Sequence, residues 1–134
     1  MLKIRKMELD EIFRHSEACY PFEACGILIG RKTGKEKVVE KVILAKNVLS
    51  SPVEYEVDAE SLFKAFELAE RNGLEVLGFF HSHPHHEPFW SSIDEERSKY
   101  WVDHSFLIVS PALRRFKSYE KRESGTVEEE LRLM

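Results

Sequence analysis

Three short apolar runs constrain the fold of this 134-residue chain more than any other feature of its sequence. Residues 25–30 (CGILIG), 74–82 (LEVLGFFHS) and 105–110 (SFLIVS) each have the length and composition of a buried β-strand. Residues 37–48 predict another strand, and the glycine-containing segment 31–36 has the composition of a hairpin turn between it and the first run. We therefore expect a β-sheet at the centre of the protein.

Helical and further strand patterns surround these runs. Helices are predicted over 7–20, 59–72 and 93–101, a half-exposed strand over 53–57 and a final hairpin over 114–133. Asp58 is well placed to cap the second helix, and Ser92 and Glu95 have the spacing of a capping box for the third. The order of helix, strands, helix, strand, helix, strands predicts a mixed α+β or α/β domain with one central sheet.

The composition favours an intracellular protein that binds neither nucleic acid nor membranes. The net charge is -4 with acidic and basic residues mixed along the chain, and no apolar run approaches the roughly 20 residues of a membrane span. The N-terminus has no apolar segment typical of a signal peptide, so we expect a cytoplasmic location. Cys19 and Cys25 are interpreted as buried or idle thiols. The absence of Gln and the scarcity of Asn are typical of thermophile proteins.

The residues that point most directly to chemistry follow the 74–82 run. In an extended strand, side chains two residues apart point the same way, so His81 and His83 can present their rings to one point. Asp94 would join them from the first turn of the next helix. Two histidines and one carboxylate are a common ligand set for catalytic zinc, which lowers the pKa of the water that it binds to about 7.

The sequence resembles a known family over these segments. The stretch HSHPHHEPFWSSID matches the signature HxHx7SxxD of the JAMM (MPN+) zinc metallopeptidases, and EACGILIG looks like the family's segment with the catalytic glutamate. The order of elements over residues 7–120 is also similar to an MPN domain. The resemblance implies one MPN domain over residues 1–134, a mixed sheet flanked by helices in a cytidine deaminase-like architecture.

The resemblance also implies a role for each matching residue. His81, His83 and Asp94 would hold one Zn2+ ion per chain. Glu23 would be the general base, which takes a proton from water and passes it to the leaving amine. Ser91 would help to stabilise the oxyanion, although as a serine near a helix start it is also a candidate cap.

The resemblance implies an isopeptidase that cuts after the C-terminal Gly-Gly of ubiquitin-like proteins. The short chain resembles the archaeal members, which remove ubiquitin-like modifiers (SAMPs) from lysines, so its partners would be a SAMP-type modifier and its conjugates. An exposed edge at 53–57 is a candidate to hold the extended tail by β-augmentation. Phe89 and Trp90 either pack in the core or line a channel for that tail, and His85 and His86 are expected to be exposed.

Two alternatives remain open at this point. Some prokaryotic relatives resemble enzymes that release an amino acid, such as cysteine, from the tail of a ubiquitin-like sulfur-carrier protein. The second alternative is a scaffold that binds zinc but has no catalytic activity. The presence of Glu23 argues against it. The sequence is compatible with a homodimer but does not specify the oligomeric state.

Overall fold

The apolar runs of the sequence form the central strands of one sheet. A computed structural model describes all 134 residues. The elements, in chain order, are β1 (Leu2–Ile4), α1 (Lys6–Cys19), β2 (Cys25–Thr33), β3 (Glu36–Ala45), α2 (Ala59–Arg71), β4 (Glu75–Ser82), α3 (Ser92–Ser98), β5 (Ser105–Ser110), β6 (Arg115–Arg122), β7 (Gly125–Glu129) and β8 (Leu131–Leu133). No helix combines the length and the apolar character needed to cross a membrane.

The sheet has eight strands in the order β7-β6-β5-β4-β2-β3-β1-β8. It is mixed, since β4 runs parallel to β5, and β1 runs parallel to both β3 and β8, whereas the other neighbours are antiparallel. One residue joins β7 to β8, although these strands form opposite edges of the sheet. The sheet must therefore curl until its two edges approach each other. The mixed α/β class with one flanked sheet, predicted from the sequence, is confirmed.

The two faces of the sheet are covered by different helices. Leu9, Ile12 and Phe13 of α1 belong to a core cluster with Leu28, Phe80 and Leu107 of the strands. On the other face, Ala65 and Ala69 of α2 pack with Ile27, Ile29, Val76, Phe79 and Phe106. Because side chains alternate along a strand, Phe80 points towards α1 whereas Phe79 points towards α2. The face that carries Phe79 also receives the side chain of His81.

Gly26 lies where β2 passes closest to its neighbours. A Cβ atom built there would lie 2.1 Å from the ring of Phe80 and 2.3 Å from the carbonyl oxygen of Ile43. Neither contact can be relieved without moving the core or the strand, so only glycine fits. The glycine of EACGILIG thus allows β3 and β4 to approach β2 closely beside the site described below.

Some expectations from the sequence are wrong. The 53–57 segment is not a strand, since its only ladder contact is an isolated bridge between Asn47 and Val57. Its alternating sequence reflects burial, since Tyr55 is buried and Glu56 is exposed, and not pairing in the sheet. Strand β1 was not predicted, and β8, which forms one edge of the sheet, falls in the segment expected as a final hairpin but pairs with β1 instead. Each has only three residues, too few for a periodic pattern to be detected.

The buried side of α2 is not the one that its large apolar residues predict. The sequence places Phe63 and Phe66 in the apolar pattern of this helix, yet their side chains are 68% and 44% exposed. The small residues Ala65 and Ala69 form the buried stripe instead, which lets α2 approach the sheet closely. Asp58 caps α2 as expected, because its carboxylate accepts a hydrogen bond from the backbone N–H of Ser61.

Candidate metal centre and active site

His81 lies at the end of β4 and is completely buried. Its ring stacks on the ring of Tyr55, with centroids 4.4 Å apart and planes inclined by 19°. Its Nε2 lies 2.9 Å from Asp94 Oδ1, but outside the direction of a hydrogen bond, and neither ring nitrogen has a hydrogen-bond partner. Buried polar atoms are rarely left without a partner, so this ring is suited to bind a ligand.

His83 follows β4 directly and is held by contacts on both sides of its ring. Its backbone N–H donates to Val109 O (2.9 Å), and its Nδ1 lies 3.0 Å from Glu87 O. A carbonyl oxygen only accepts hydrogen bonds, so Nδ1 carries the proton. This leaves Nε2, 3.2 Å from Asp94 Oδ2, as the atom that faces the cluster. A backbone partner of this kind fixes the ring orientation of a metal-ligating histidine.

Asp94 is held by the start of α3. Its backbone N–H donates to Ser91 Oγ (3.0 Å), while its Oδ2 accepts from the N–H of Ser91 (3.1 Å). The capping box is therefore formed by Ser91 and Asp94, and the predicted pairing of Ser92 with Glu95 is wrong. Ser92 is already the first helical residue, and Glu95 instead accepts a hydrogen bond from Trp90 Nε1.

Together these three residues form a cluster suited to a metal ion. One ligand atom from each of His81, His83 and Asp94 lies within 4.8 Å of the others, and all three residues are buried. Two imidazole nitrogens and one carboxylate oxygen match the ligand set of catalytic zinc. A bound cation would give the unpartnered ring of His81 its missing contact, so the residues fit the group that the sequence implied.

The titration behaviour of the cluster follows from burial and from the charges that face each other. Burial raises the pKa of Asp94, but the two histidines outweigh it and hold that pKa far below its usual range. Burial lowers the pKa of His81. Burial also disfavours the charged form of His83, yet its hydrogen bonds and the charge of Asp94 raise its pKa. The carboxylate thus stays ionised, as a metal ligand must.

Glu23 lies opposite His83. The pair Cys25 and His81 ends the ladder between β2 and β4, and the next residues continue it through the bond from Ser82 N–H to Ala24 O (3.1 Å). The same register places Glu23 across from His83. Glu23 is 4% exposed, and its Oε1 has no hydrogen-bond partner. Burial, opposed by the charge of His83, raises its pKa to about 8.

The structure thus brings together the five residues that the sequence singled out, with Ser91 at the cap of the helix that carries Asp94. The family model described as prokaryotic homologs of the JAB domain matches residues 6–122. The chain belongs to this family. The resemblance to JAMM/MPN+ proteins is therefore confirmed.

Two desampylases are among the relatives of this JAB-family protein. The one from Pyrococcus furiosus is 48% identical over 79 residues, which are 59% of this chain and 54% of the relative. The one from Haloferax volcanii is 36% identical over 92 residues, 68% of this chain and 64% of the relative. The chain thus spans between half and two thirds of the length of these curated relatives. A solved structure, protein DSY2949 from Desulfitobacterium hafniense, superposes with a TM-score of 0.87 at 33% identity, covering 100% of this chain and 93% of that one.

Tyr55 is a member of the JAB-family site that sequence reasoning missed. The residue is buried and belongs to the 46–58 loop, the connection between β3 and α2. The alternation of 53–57 indicated that its side chain faces the protein, but not that it faces His81. Burial raises the pKa of Tyr55 well above its usual value, so its hydroxyl stays protonated.

A groove runs from Tyr55 along the α2 face of the sheet. Its cavity has a volume of about 210 Å³ and is lined by Tyr55, Val57, Leu62, Phe79, Arg97 and Trp101, among others. Arg97 of α3 bonds to the carboxylates of Glu54 (2.8 Å) and Glu56 (3.4 Å), which ties this helix to the 46–58 loop. The groove therefore has one wall from the loop and another from α3 and the residues after it.

The other residues that the sequence singled out lie outside the metal cluster. His85 and His86 are exposed, as predicted. Trp90 packs against Phe106 and Tyr119 in the core, whereas Phe89 is 47% exposed and its ring lies 5.4 Å from that of His83. Both cysteines are free thiols, and burial raises the pKa of Cys25 to about 12, so this thiol is inert at neutral pH.

Proposed function

We propose that this protein is a zinc-dependent isopeptidase that hydrolyses the bond after the C-terminal Gly-Gly of a ubiquitin-like modifier joined to lysine. The observation that carries the proposal is the convergence of His81, His83 and Asp94 beside the buried carboxyl of Glu23. A scaffold that only holds zinc would have no use for a second, unpartnered carboxyl at this place. The names of the two desampylase relatives support the same activity.

Glu23 is placed to move the proton that amide hydrolysis requires. Its carboxylate accepts a proton from the attacking water as the oxygen bonds to the carbonyl carbon. It then gives the proton to the amine nitrogen as the carbon–nitrogen bond breaks. When zinc is bound, it supplies Lewis-acid polarisation of the carbonyl and lowers the pKa of the water. The pKa of about 8 belongs to the metal-free site, and the charge of a bound zinc ion would lower it towards neutrality. A carboxyl group with a pKa near the working pH both accepts and releases a proton readily.

Ser91 can cap α3 and serve the reaction at once. Its Oγ accepts a hydrogen bond from the N–H of Asp94, which leaves its hydroxyl proton free to donate. The oxyanion that forms from the substrate carbonyl needs such a donor. We therefore assign Ser91 to oxyanion stabilisation, with its position fixed by the cap.

The groove beside Tyr55 fits an extended tail without side chains. The backbone groups of Tyr55 and Val57 make no hydrogen bond within the chain, whereas the intervening Glu56 O accepts one from the N–H of Val48. The 46–58 loop thus has one paired side and one free side, although it forms no regular strand. A Gly-Gly tail can pair with the free side and reach the cluster, since it has no Cβ atoms to clash with Phe79 or Trp101. The modifier would be of the SAMP type.

The proposal is tested with a ubiquitin-like modifier linked through its Gly-Gly terminus to a lysine side chain. The zinc-loaded protein should release the modifier, and a chelator should abolish the release. Glu23→Gln should retain one zinc ion per chain and lose at least about 100-fold in kcat, the scale of general base catalysis. His83→Ala should lose the zinc, whereas His86→Ala, on the same loop but exposed, should keep both metal and activity.

The same assay separates the alternatives. Release of cysteine from a cysteine-tailed sulfur carrier, with the lysine-linked conjugate left intact, would replace the proposed substrate with the sulfur-carrier one. A zinc-loaded protein that cleaves neither substrate, and that behaves identically as Glu23→Gln, would refute catalysis and support the scaffold.

A further inference from the structure

Asn47 makes four hydrogen bonds with its side-chain amide, which is the full capacity of that group. Its Nδ2 donates to the carbonyl oxygens of Glu23 and Glu54, both at 3.0 Å. Its Oδ1 accepts from the backbone N–H groups of Leu49 and Glu56, both at 3.1 Å. Two carbonyls on one side and two N–H groups on the other allow only one orientation of the amide, so its donor and acceptor ends are settled.

The bond to the carbonyl of Glu23 lies where the chain has little other support. Glu23 precedes β2, and its own backbone is held by Asn47 at its carbonyl and by Ser51 O at its N–H (2.8 Å). Both partners belong to the 46–58 loop. The β2–β4 ladder ends at Ala24, so the position of this carboxyl depends on the loop as well as on the strand pairing next to it.

Two of the other three contacts flank Tyr55, the residue that covers the metal cluster. Glu54 O and Glu56 N–H are the groups on either side of Tyr55, whose ring stacks on His81. One amide thus fixes the peptide groups around Tyr55 and the carbonyl of Glu23 with respect to each other. A shift of Glu23 would be transmitted to the segment around Tyr55, and the reverse, because both bond to the same rigid amide.

We propose that Asn47 is a positioning residue, which sets the placement of Glu23 relative to the metal cluster by joining its backbone to the segment that carries Tyr55. The expected effect on kcat rests on the proposed function, whereas the expected link between Glu23 and the 46–58 loop does not. Asn47 touches neither metal nor substrate. Its loss should therefore lower kcat while leaving zinc bound and KM almost unchanged.

The test is Asn47→Asp, which keeps the size of the side chain and the oxygen that accepts from Leu49 and Glu56. It replaces the donor with an oxygen that repels the carbonyls of Glu23 and Glu54. We expect kcat for the lysine-linked conjugate to fall roughly 10- to 100-fold, the scale expected for a misplacement of about 1 Å. Zinc content should stay at one per chain, KM should change less than about threefold, and hydrogen exchange at the Glu23 amide should accelerate.

The matched control is Asn72→Asp, the only other asparagine of the chain. Its Nδ2 bonds to Leu68 O at the exposed end of α2, so kcat and the exchange at Glu23 should not change. If Asn47→Asp does not fold, Asn47→Ala, which removes the bonds without adding repulsion, takes its place with the same expectations.

Three results would overturn the inference: unchanged kcat, a loss of zinc that accounts for the loss of kcat, or a rise in KM alone. If the unaltered protein cleaves no conjugate, the proposed function fails, and amide exchange then decides the structural link. Faster exchange at Glu23 in Asn47→Asp would support the link, and an unchanged rate would refute it.

Discussion

At the scale of single residues, two carboxyl groups of one site are driven to opposite protonation states. Asp94 faces two histidines and the N–H of Ser91, so it stays ionised although it is buried. Glu23 is buried without a hydrogen-bond partner for its Oε1, so its pKa rises to about 8. Pairs of titratable groups whose pKa values are pushed apart in this way commonly divide the roles of acid, base and ligand. The difference arises from their partners, since both side chains are buried.

Metal-free protein should therefore lose stability as the pH rises. The folded state raises the pKa of Glu23 above the unfolded value of about 4.5, so the folded state binds more protons between these values. Stability from this group is fully present below pH 4.5 and declines until about pH 8. The loss should be on the order of a few kcal/mol, because one pKa unit corresponds to about 1.4 kcal/mol.

Chemical denaturation of the chelated protein between pH 5 and about 8.5 measures this effect. Glu23→Gln cannot ionise, so the difference in unfolding free energy between the variant and the unaltered protein should widen with pH. Parallel stability curves for the two proteins would contradict a raised pKa. The comparison cancels the groups that do not interact with Glu23, whereas the interaction of Glu23 with His83 remains part of the measured difference.

At the scale of elements, the SxxD part of the signature is a helix cap as well as a metal-binding motif. Ser91 and Asp94 bond reciprocally, and the same carboxylate points back towards His83. A helix of only seven residues has little stability of its own, so its first turn depends on this cap. The spacing of two residues between Ser91 and Asp94 is thus required by helix geometry and metal binding together.

Ser91→Ala should lower both stability and activity. Loss of the cap should cost about 1 kcal/mol of unfolding free energy, and loss of the hydroxyl donor should reduce kcat roughly 100-fold. The neighbouring Ser92→Ala is the control, since Ser92 is exposed and caps nothing. Thermal unfolding and steady-state kinetics test both variants. Equal kcat values for the two variants would limit Ser91 to capping.

At the scale of the whole molecule, the curled sheet encloses a buried lysine that pairs with a partly buried carboxylate. Lys37 of β3 is 1% exposed, and its Nζ bonds to Ser105 Oγ of β5 (2.7 Å) and to Glu120 of β6 (2.9 Å). In the sheet order, β3 is separated from β5 by two strands, so this contact crosses the inside of the curl. A buried ammonium ion without its carboxylate partner is costly, so the pair favours the curled arrangement over an open one.

Removal of one partner should show this dependence. Glu120→Ala leaves Lys37 buried without its counter-charge and should cost roughly 3–5 kcal/mol of unfolding free energy. Glu130→Ala removes an exposed pair with Arg132 and should change stability by less than about 1 kcal/mol. Guanidinium denaturation compares the two variants. Equal midpoints would mean that the pair contributes little to the closed sheet.

The sequence by itself determined the central strands, the three helices and the metal-ligand candidates. Buried strands are short apolar runs, and the spacing of His81, His83 and Asp94 is a local property of a strand end and a helix start. Such features depend on neighbours in sequence, so the order of the residues is enough to predict them.

Only the tertiary structure decided the parts that depend on contacts between distant segments. Glu23 reaches the cluster through the pairing of β2 with β4, and Tyr55 and Asn47 act through a loop without periodic structure. The edge strand β8 is paired with β1 because the whole sheet curls, which no local pattern specifies. Burial and pairing are properties of the folded chain, and they raise the pKa of Glu23 and hold the loop against His81.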